Sequence, residues 1–189
     1  MLPAQTHARP TTVPPPSVTE VLLRNFGAAV EPMTAFQPFY VTGDFNGDGA
    51  QDIAAVIRIK ATRPSLPKDV RLQNPFEVNG AIQFPRDPAV ENKLALAIVH
   101  SWTTANPIGK FLLIGDSPVL ILEYDRAGSA PEYRKGLIEL MSKHGKQRKG
   151  MIMPRASKGD VITMGTEVGG DSLLYWNGRR YVWEDAAED

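Results

Sequence analysis

A nine-residue run, Asp44-Phe45-Asn46-Gly47-Asp48-Gly49-Ala50-Gln51-Asp52, constrains this chain more than any other stretch. It lies between Phe39-Tyr40-Val41 and the mostly apolar run Ile53 to Ile59, so it reads as a connection between two strands. Oxygen-bearing side chains fall at its first, third, fifth and ninth positions, with glycine at the sixth. A hard cation such as Ca²⁺ takes roughly six to eight oxygen ligands, and a tight loop whose alternate residues turn inward supplies them with little chain. The spacing predicts side-chain ligands at Asp44, Asn46 and Asp48, a carbonyl ligand at Ala50, and Asp52 as the closing ligand. Gly49 permits the sharp turn that brings Ala50 round. Position 12, where an EF-hand carries a bidentate Glu, is Ala55, and the residues after Asp52 favour a strand. The competing reading is a polar hairpin turn, because Asp, Asn and Gly favour turns for reasons unconnected with metals. Against it, three carboxylates within nine residues repel one another unless a cation or solvent screens them.

The segment Gly43 through Ala54 resembles the calcium loop of the FG-GAP/VCBS repeat family, whose signature runs close to GDFNGDGxxDIA. In that family the loop binds Ca²⁺ between two strands of a β-propeller blade. The resemblance implies Asp44, Asn46, Asp48 and Asp52 as side-chain ligands and Ala50 as a carbonyl ligand. A propeller needs the unit to recur, and Gly159-Asp160-Val161 and Gly170-Asp171-Ser172 lack the later aspartates. The expectation is therefore a single calcium loop without a full propeller. The stretch Gly159 to Trp183 is also similar to the ends of small exported bacterial proteins that carry one such loop, a likeness that brings no activity with it.

The rest of the chain reads as mainly strands. Residues 1–16 hold Pro3, Pro10, Pro14, Pro15 and Pro16 and predict an extended tail, leaving 17–189 as a single domain. Ser17-Val18-Thr19-Glu20 has the spacing of a capping box, and Val21, Leu22 and Phe26 follow at helical intervals before Gly27. A short helix over 18–26 is expected. Residues 61–92 carry Pro64, Pro67, Pro75, Pro85 and Pro88 and predict an irregular insertion at the sheet edge, with a small hairpin at Asn79-Gly80. Strands are expected at 94–102, 111–114, 119–124 and 161–164, while 129–143 fits either a helix or a strand over 137–141. Asn177-Gly178 between Leu173–Trp176 and Tyr181–Trp183 predicts a type I′ hairpin in which Trp176 faces Arg179, Tyr175 faces Arg180 and Leu174 faces Tyr181. The expected class is α+β: a mainly antiparallel sheet, a short N-terminal helix and a calcium-loop hairpin.

Composition narrows the function. With 21 Lys plus Arg against 21 Asp plus Glu, no basic excess points to a nucleic-acid partner. The absence of cysteine excludes a disulfide framework, a thiol nucleophile and a Cys-ligated metal. No apolar run approaches the roughly 18–20 residues that span a bilayer. His7, His100 and His144 show no zinc-ligand spacing, and Ser101, Ser117 and Ser172 lie outside any G-x-S-x-G context. Lys143 to Lys149 is the densest basic run and reads as a solvated loop or an anion-attracting patch. Trp176, Arg179, Tyr181 and Trp183 form a candidate binding surface for a protein or carbohydrate partner, with core packing of the terminal hairpin as the alternative. No secretory signal is visible at residues 1–16. The functional expectation is a non-enzymatic, calcium-stabilised structural or binding module that is periplasmic or secreted, because loops of modest charge serve where calcium is abundant. The alternatives are a secreted hydrolase or carbohydrate-binding protein stabilised by calcium, and an intracellular protein in which the loop is only a turn.

Overall fold

The helix α1 (Val18–Phe26) starts where the capping box places it. Ser17 Oγ accepts from the Glu20 N–H at 3.2 Å, and Glu20 Oε2 accepts from the Ser17 N–H at 2.6 Å. Gly27 ends the helix, its N–H bonded to the Leu23 carbonyl. Val21, Leu22 and Phe26 are buried along one stripe, each contributing roughly 1.5–3 kcal/mol of apolar transfer. Arg24 Nη2 adds a bond to the Trp102 carbonyl at 3.1 Å. The computed structural model describes residues 17–35, 38–60, 66–75, 94–104, 107–114, 138–145, 151–165 and 171–186.

The stripe of α1 packs on a six-stranded sheet. Its strands are β1 (Val30–Pro32), β2 (Tyr40–Gly43), β3 (Asp52–Ile59), β4 (Val70–Gln73), β5 (Leu94–His100) and β6 (Gly109–Leu113). The order is β1-β3-β5-β6-β4, with β2 also on β3. β1 and β2 lie end to end along one side of β3, Val30–Pro32 opposite Ile57–Ile59 and Tyr40–Gly43 opposite Asp52–Ala55. Between them the chain leaves the ladder at Val56, whose carbonyl accepts from Met33 N–H and whose N–H donates to the Phe39 carbonyl. All pairings are antiparallel except β4 with β6. The apolar runs of β3 and β5 arise because both faces of these central strands are covered. Ile53, Ala55 and Ile57 face α1, whereas Ala54 and Val56 face a second sheet.

That second sheet has the order β10-β9-β8-β7, antiparallel throughout. Its strands are β7 (Glu139–Met141), β8 (Val161–Gly165), β9 (Asp171–Trp176) and β10 (Tyr181–Asp185). Ile162, Met164, Leu174 and Tyr181 meet Leu96, Ile98 and Phe111 of the first sheet to make the central core. Met141, Met151, Val161, Leu173 and Tyr175 form a smaller cluster on the outer face. At one side the sheets are tied by Tyr181 N–H to Gln73 Oε1 (3.1 Å) and Trp183 N–H to the Pro75 carbonyl (3.2 Å). The chain is thus α+β, mainly antiparallel sheet with one short helix. Among the described residues neither a closed barrel nor a propeller forms.

Two expectations are corrected. The terminal hairpin pairs Trp176 with Tyr181, Tyr175 with Val182 and Leu174 with Trp183, so Arg179 and Arg180 lie in a four-residue connection and not opposite aromatic rings. A type I′ turn needs positive φ at both central residues, and of Asn177 and Gly178 only Gly178 has it, at 97°. Asn177 instead uses its Oδ1 to accept from the Arg179 and Arg180 N–H groups, at 2.9 and 3.0 Å. Second, the proline-rich insertion contains a strand, β4, that forms the sheet edge. Of the alternatives for 129–143, the strand is the one that forms, at Glu139–Met141. The expected hairpin at Asn79-Gly80, the strand at 119–124 and the tail at 1–16 lie outside the described residues.

Candidate metal centre

The aspartate loop joins β2 to β3 and folds around its own carboxylates. Asp44 Oδ1 accepts from the Gly47 and Asp48 N–H groups at 2.8 and 3.0 Å, and its Oδ2 from Gly49 N–H at 2.9 Å. Asn46 Oδ1 accepts from Asp48 N–H at 3.0 Å, while its amide donates to Asp48 Oδ2 at 2.8 Å. Asp48 Oδ1 accepts from Ala50 N–H at 2.7 Å. Gly49 has φ of 82°, the left-handed turn expected at the sixth position. Asp44, Asn46, Asp48 and Ala50 therefore share one rim, with Asp48 exposed.

Asp52 has a different environment. It is fully buried, and both its oxygens face N–H groups: Oδ2 those of Phe45 (2.9 Å) and Asn46 (3.2 Å), Oδ1 that of Ser101 (2.8 Å). Burial pushes its carboxyl up to about 7, against these hydrogen bonds and with a smaller push from Asp48. It anchors the loop's start to the end of β5. Ser101 Oγ reaches Asp48 Oδ2 at 3.4 Å from that same strand end.

The other wall comes from the second sheet. Asp44 N–H donates to Asp160 Oδ2 at 3.0 Å, and Asp160 N–H donates to the Asp44 carbonyl at 2.7 Å. Asp160 Oδ1 also accepts from Lys143 N–H at 2.7 Å. Gly159 sits so close that a Cβ there would run into the Asp44 carbonyl oxygen and lie 2.7 Å from Gly47 N. Lys143, first of the basic run, turns its Nζ to the Ser157 and Lys158 carbonyls, at 3.1 and 2.9 Å. Lys146 to Lys149 lie outside the described residues. The sequence reading missed Ser101, Gly159 and Asp160 as site residues. The one available signal was the Gly-Asp step immediately before the apolar Val161-Ile162.

Among the described residues, no three His, Cys, Asp or Glu side chains converge at a spacing that ligates a metal. Asp44, Asp48 and Asp52 each spend three of roughly four acceptor positions on hydrogen bonds from the described residues. The donor set is nonetheless hard oxygen throughout and each carboxylate retains acceptor capacity, which fits Ca²⁺ and disfavours softer ions. Lys60 pairs with Glu31 and Lys110 with Asp69, both away from the loop carboxylates.

The four residues of the candidate binding surface differ in exposure. Tyr181 is 1% exposed and Trp176 and Trp183 pack partly buried against the central core, so only Arg179 projects from the surface. The apolar interior between the sheets outcompetes solvent for these rings. Tyr181 Oη instead lies 2.6 Å from His100 Nε2, inside a cluster with Phe111 and Trp176. Burial holds His100 down at about 4. No helix among the described residues is long and apolar enough to cross a membrane. Comparison with protein-family models, with curated proteins and with solved structures finds no match to this chain.

Proposed function

We propose that this protein is a calcium-stabilised, non-enzymatic structural or binding module of the periplasm or the extracellular space. The observation that carries the reading is the loop itself: Asp44, Asp48 and Asp52 crowd into one turn with Asn46 and the Ala50 carbonyl, a donor set made entirely of hard oxygen. Asp44, Asn46, Asp48 and Ala50 would hold the ion at the rim, with Asp52 closing the loop from below. Bound Ca²⁺ supplies charge neutralisation and a cross-link between strands β2 and β3. The chain's own residues fix where the ligands stand: Asp52 through Ser101, and Asp44 through its bonds to the Gly47, Asp48 and Gly49 amides. A role in stability rather than catalysis is favoured because His100, beyond Ser101 at the end of β5, is engaged with Tyr181 in a buried aromatic cluster.

Thermal melting in calcium tests this. Binding only to the folded state stabilises by RT ln(1 + [L]/Kd), about 1.4 kcal/mol at ten times Kd, so the midpoint should rise by several degrees between chelator and 10 mM Ca²⁺. Equal midpoints with and without calcium would rule the reading out.

A further inference from the structure

We infer that the Gly159-Asp160 step at the start of β8 is a positioning element for the calcium loop, so that ion binding and docking of the second sheet form one linked equilibrium. The inference rests on the calcium reading for its second half only; the positioning itself is a property of the protein alone.

Asp160 holds Asp44, the first rim position, at both ends of its backbone, through its carboxylate and its own N–H. Its Oδ2 accepts from Asp44 N–H at 3.0 Å and its own N–H donates to the Asp44 carbonyl at 2.7 Å. Through Oδ1 it takes Lys143 N–H at 2.7 Å, so one carboxylate ties the loop to both β7 and β8. The turn that presents it is rigid. Ser157 Oγ donates to the Gly159 carbonyl at 2.6 Å, and Lys158 N–H donates to the Trp176 carbonyl at 2.9 Å. Gly159 lets this turn press against Asp44 and Phe45, and Gly47 likewise leaves no room for a Cβ beside the Lys158 carbonyl.

The consequence is directional control of Asp44. Its carboxylate gathers the Gly47, Asp48 and Gly49 amides, and its backbone is held by a different sheet. Loosening β7–β8 must therefore loosen the loop, and tightening the loop around an ion must tighten β7–β8; linkage requires the two effects to be equal. Partners that orient a metal ligand without touching the metal typically alter affinity about 10- to 100-fold when removed.

The test uses full-length Asp160→Asn and Asp160→Ala. Asn cannot accept from the Asp44 and Lys143 N–H groups with separate oxygens. In chelator, amide exchange at Gly47, Asp48 and Gly49 should accelerate about tenfold while Ile98 in the core stays unchanged, which also certifies the fold. Unchanged loop exchange in both variants overturns the positioning claim, whatever calcium does. In wild type, Ca²⁺ alone should slow exchange at Lys143 and Asp160 as well as in the loop, and Asp160→Asn should weaken calcium binding about tenfold or more. Loop protection by calcium without protection at Lys143 and Asp160, or unaltered affinity in Asp160→Asn, overturns the linkage and leaves the calcium reading standing. No response of wild type to calcium overturns the calcium reading and the linkage together, while the exchange result in chelator still decides the positioning.

Discussion

Ser101 donates its backbone N–H to Asp52 Oδ1 at 2.8 Å while held in the left-handed region, φ 54°. It is the one non-glycine residue with positive φ among the described residues. β5 has to turn at His100, and the Asp52 carboxylate defines where the first amide after that turn can go. The aspartate at the ninth loop position thus joins three pieces of backbone: the loop's start at Phe45 and Asn46, the first residue of β3, and the exit of β5.

Backbone strain at Ser101 separates two substitutions. Ser101→Gly relieves a left-handed cost of roughly 1–2 kcal/mol and loses only the long hydroxyl contact to Asp48, so stability should change by about 1 kcal/mol or less. Ser101→Val adds a β-branched side chain at the same φ and should cost about 2 kcal/mol more than the glycine variant. Urea unfolding measures both, and equal costs would show that the conformation is not imposed.

Asp52 and His100 should oppose one another in pH dependence. Asp52 is raised to about 7 by burial, so protonation favours the folded state and its stabilisation is lost as pH rises toward 7. His100 is lowered to about 4, also by burial first, so the folded state keeps it neutral and loses stability as pH falls below 6.5. Between about pH 5 and 6.5 each contributes roughly 1.5–2 kcal/mol, with opposite sign. Calcium-free wild type should be nearly flat across that window. His100→Gln, which keeps an acceptor for Tyr181, should be more stable at the acid end, and Asp52→Asn more stable at the neutral end. Parallel profiles for all three proteins would refute the assignment.

Two glycines carry different requirements. At Gly159 an added methyl meets the backbone of Asp44 and Gly47, which cannot move without breaking the inter-sheet bonds. Gly159→Ala should cost about 2–3 kcal/mol or more, as overpacking against fixed backbone does. At Gly49 the space is open and only the φ of 82° resists a side chain, so Gly49→Ala should cost about 1 kcal/mol. Denaturant midpoints that rank the two in the reverse order would contradict the docking of the loop on β8.

What the sequence announced was local. The capping box at Ser17 and Glu20, the apolar run of Ile53 to Ile59 and the aspartate spacing all rest on neighbours within a few residues. Long-range features were silent. β4 pairs with β6 about forty residues away, and its Val70-Arg71-Leu72-Gln73 is too short and too mixed to stand out from the proline-rich stretch around it. Asn177-Gly178 identified the right turn and the right faces, because a slip of two residues preserves them, but Asn177 closed a longer connection through its side chain. Around the loop, Asp160 and Ser101 were invisible because their roles depend on which strand ends the two sheets bring together.

The central claim is that Ca²⁺ occupies the rim formed by Asp44, Asn46, Asp48 and Ala50. A calcium titration followed through the amide resonances of Gly47, Gly49 and Ala50 tests it most directly. Saturable shifts with a Kd near 10⁻⁴–10⁻³ M, the range of extracellular calcium modules, are expected, and they should be lost in Asp48→Ala. Amides that stay unmoved at tens of millimolar Ca²⁺, or that move identically in Asp48→Ala, would contradict it.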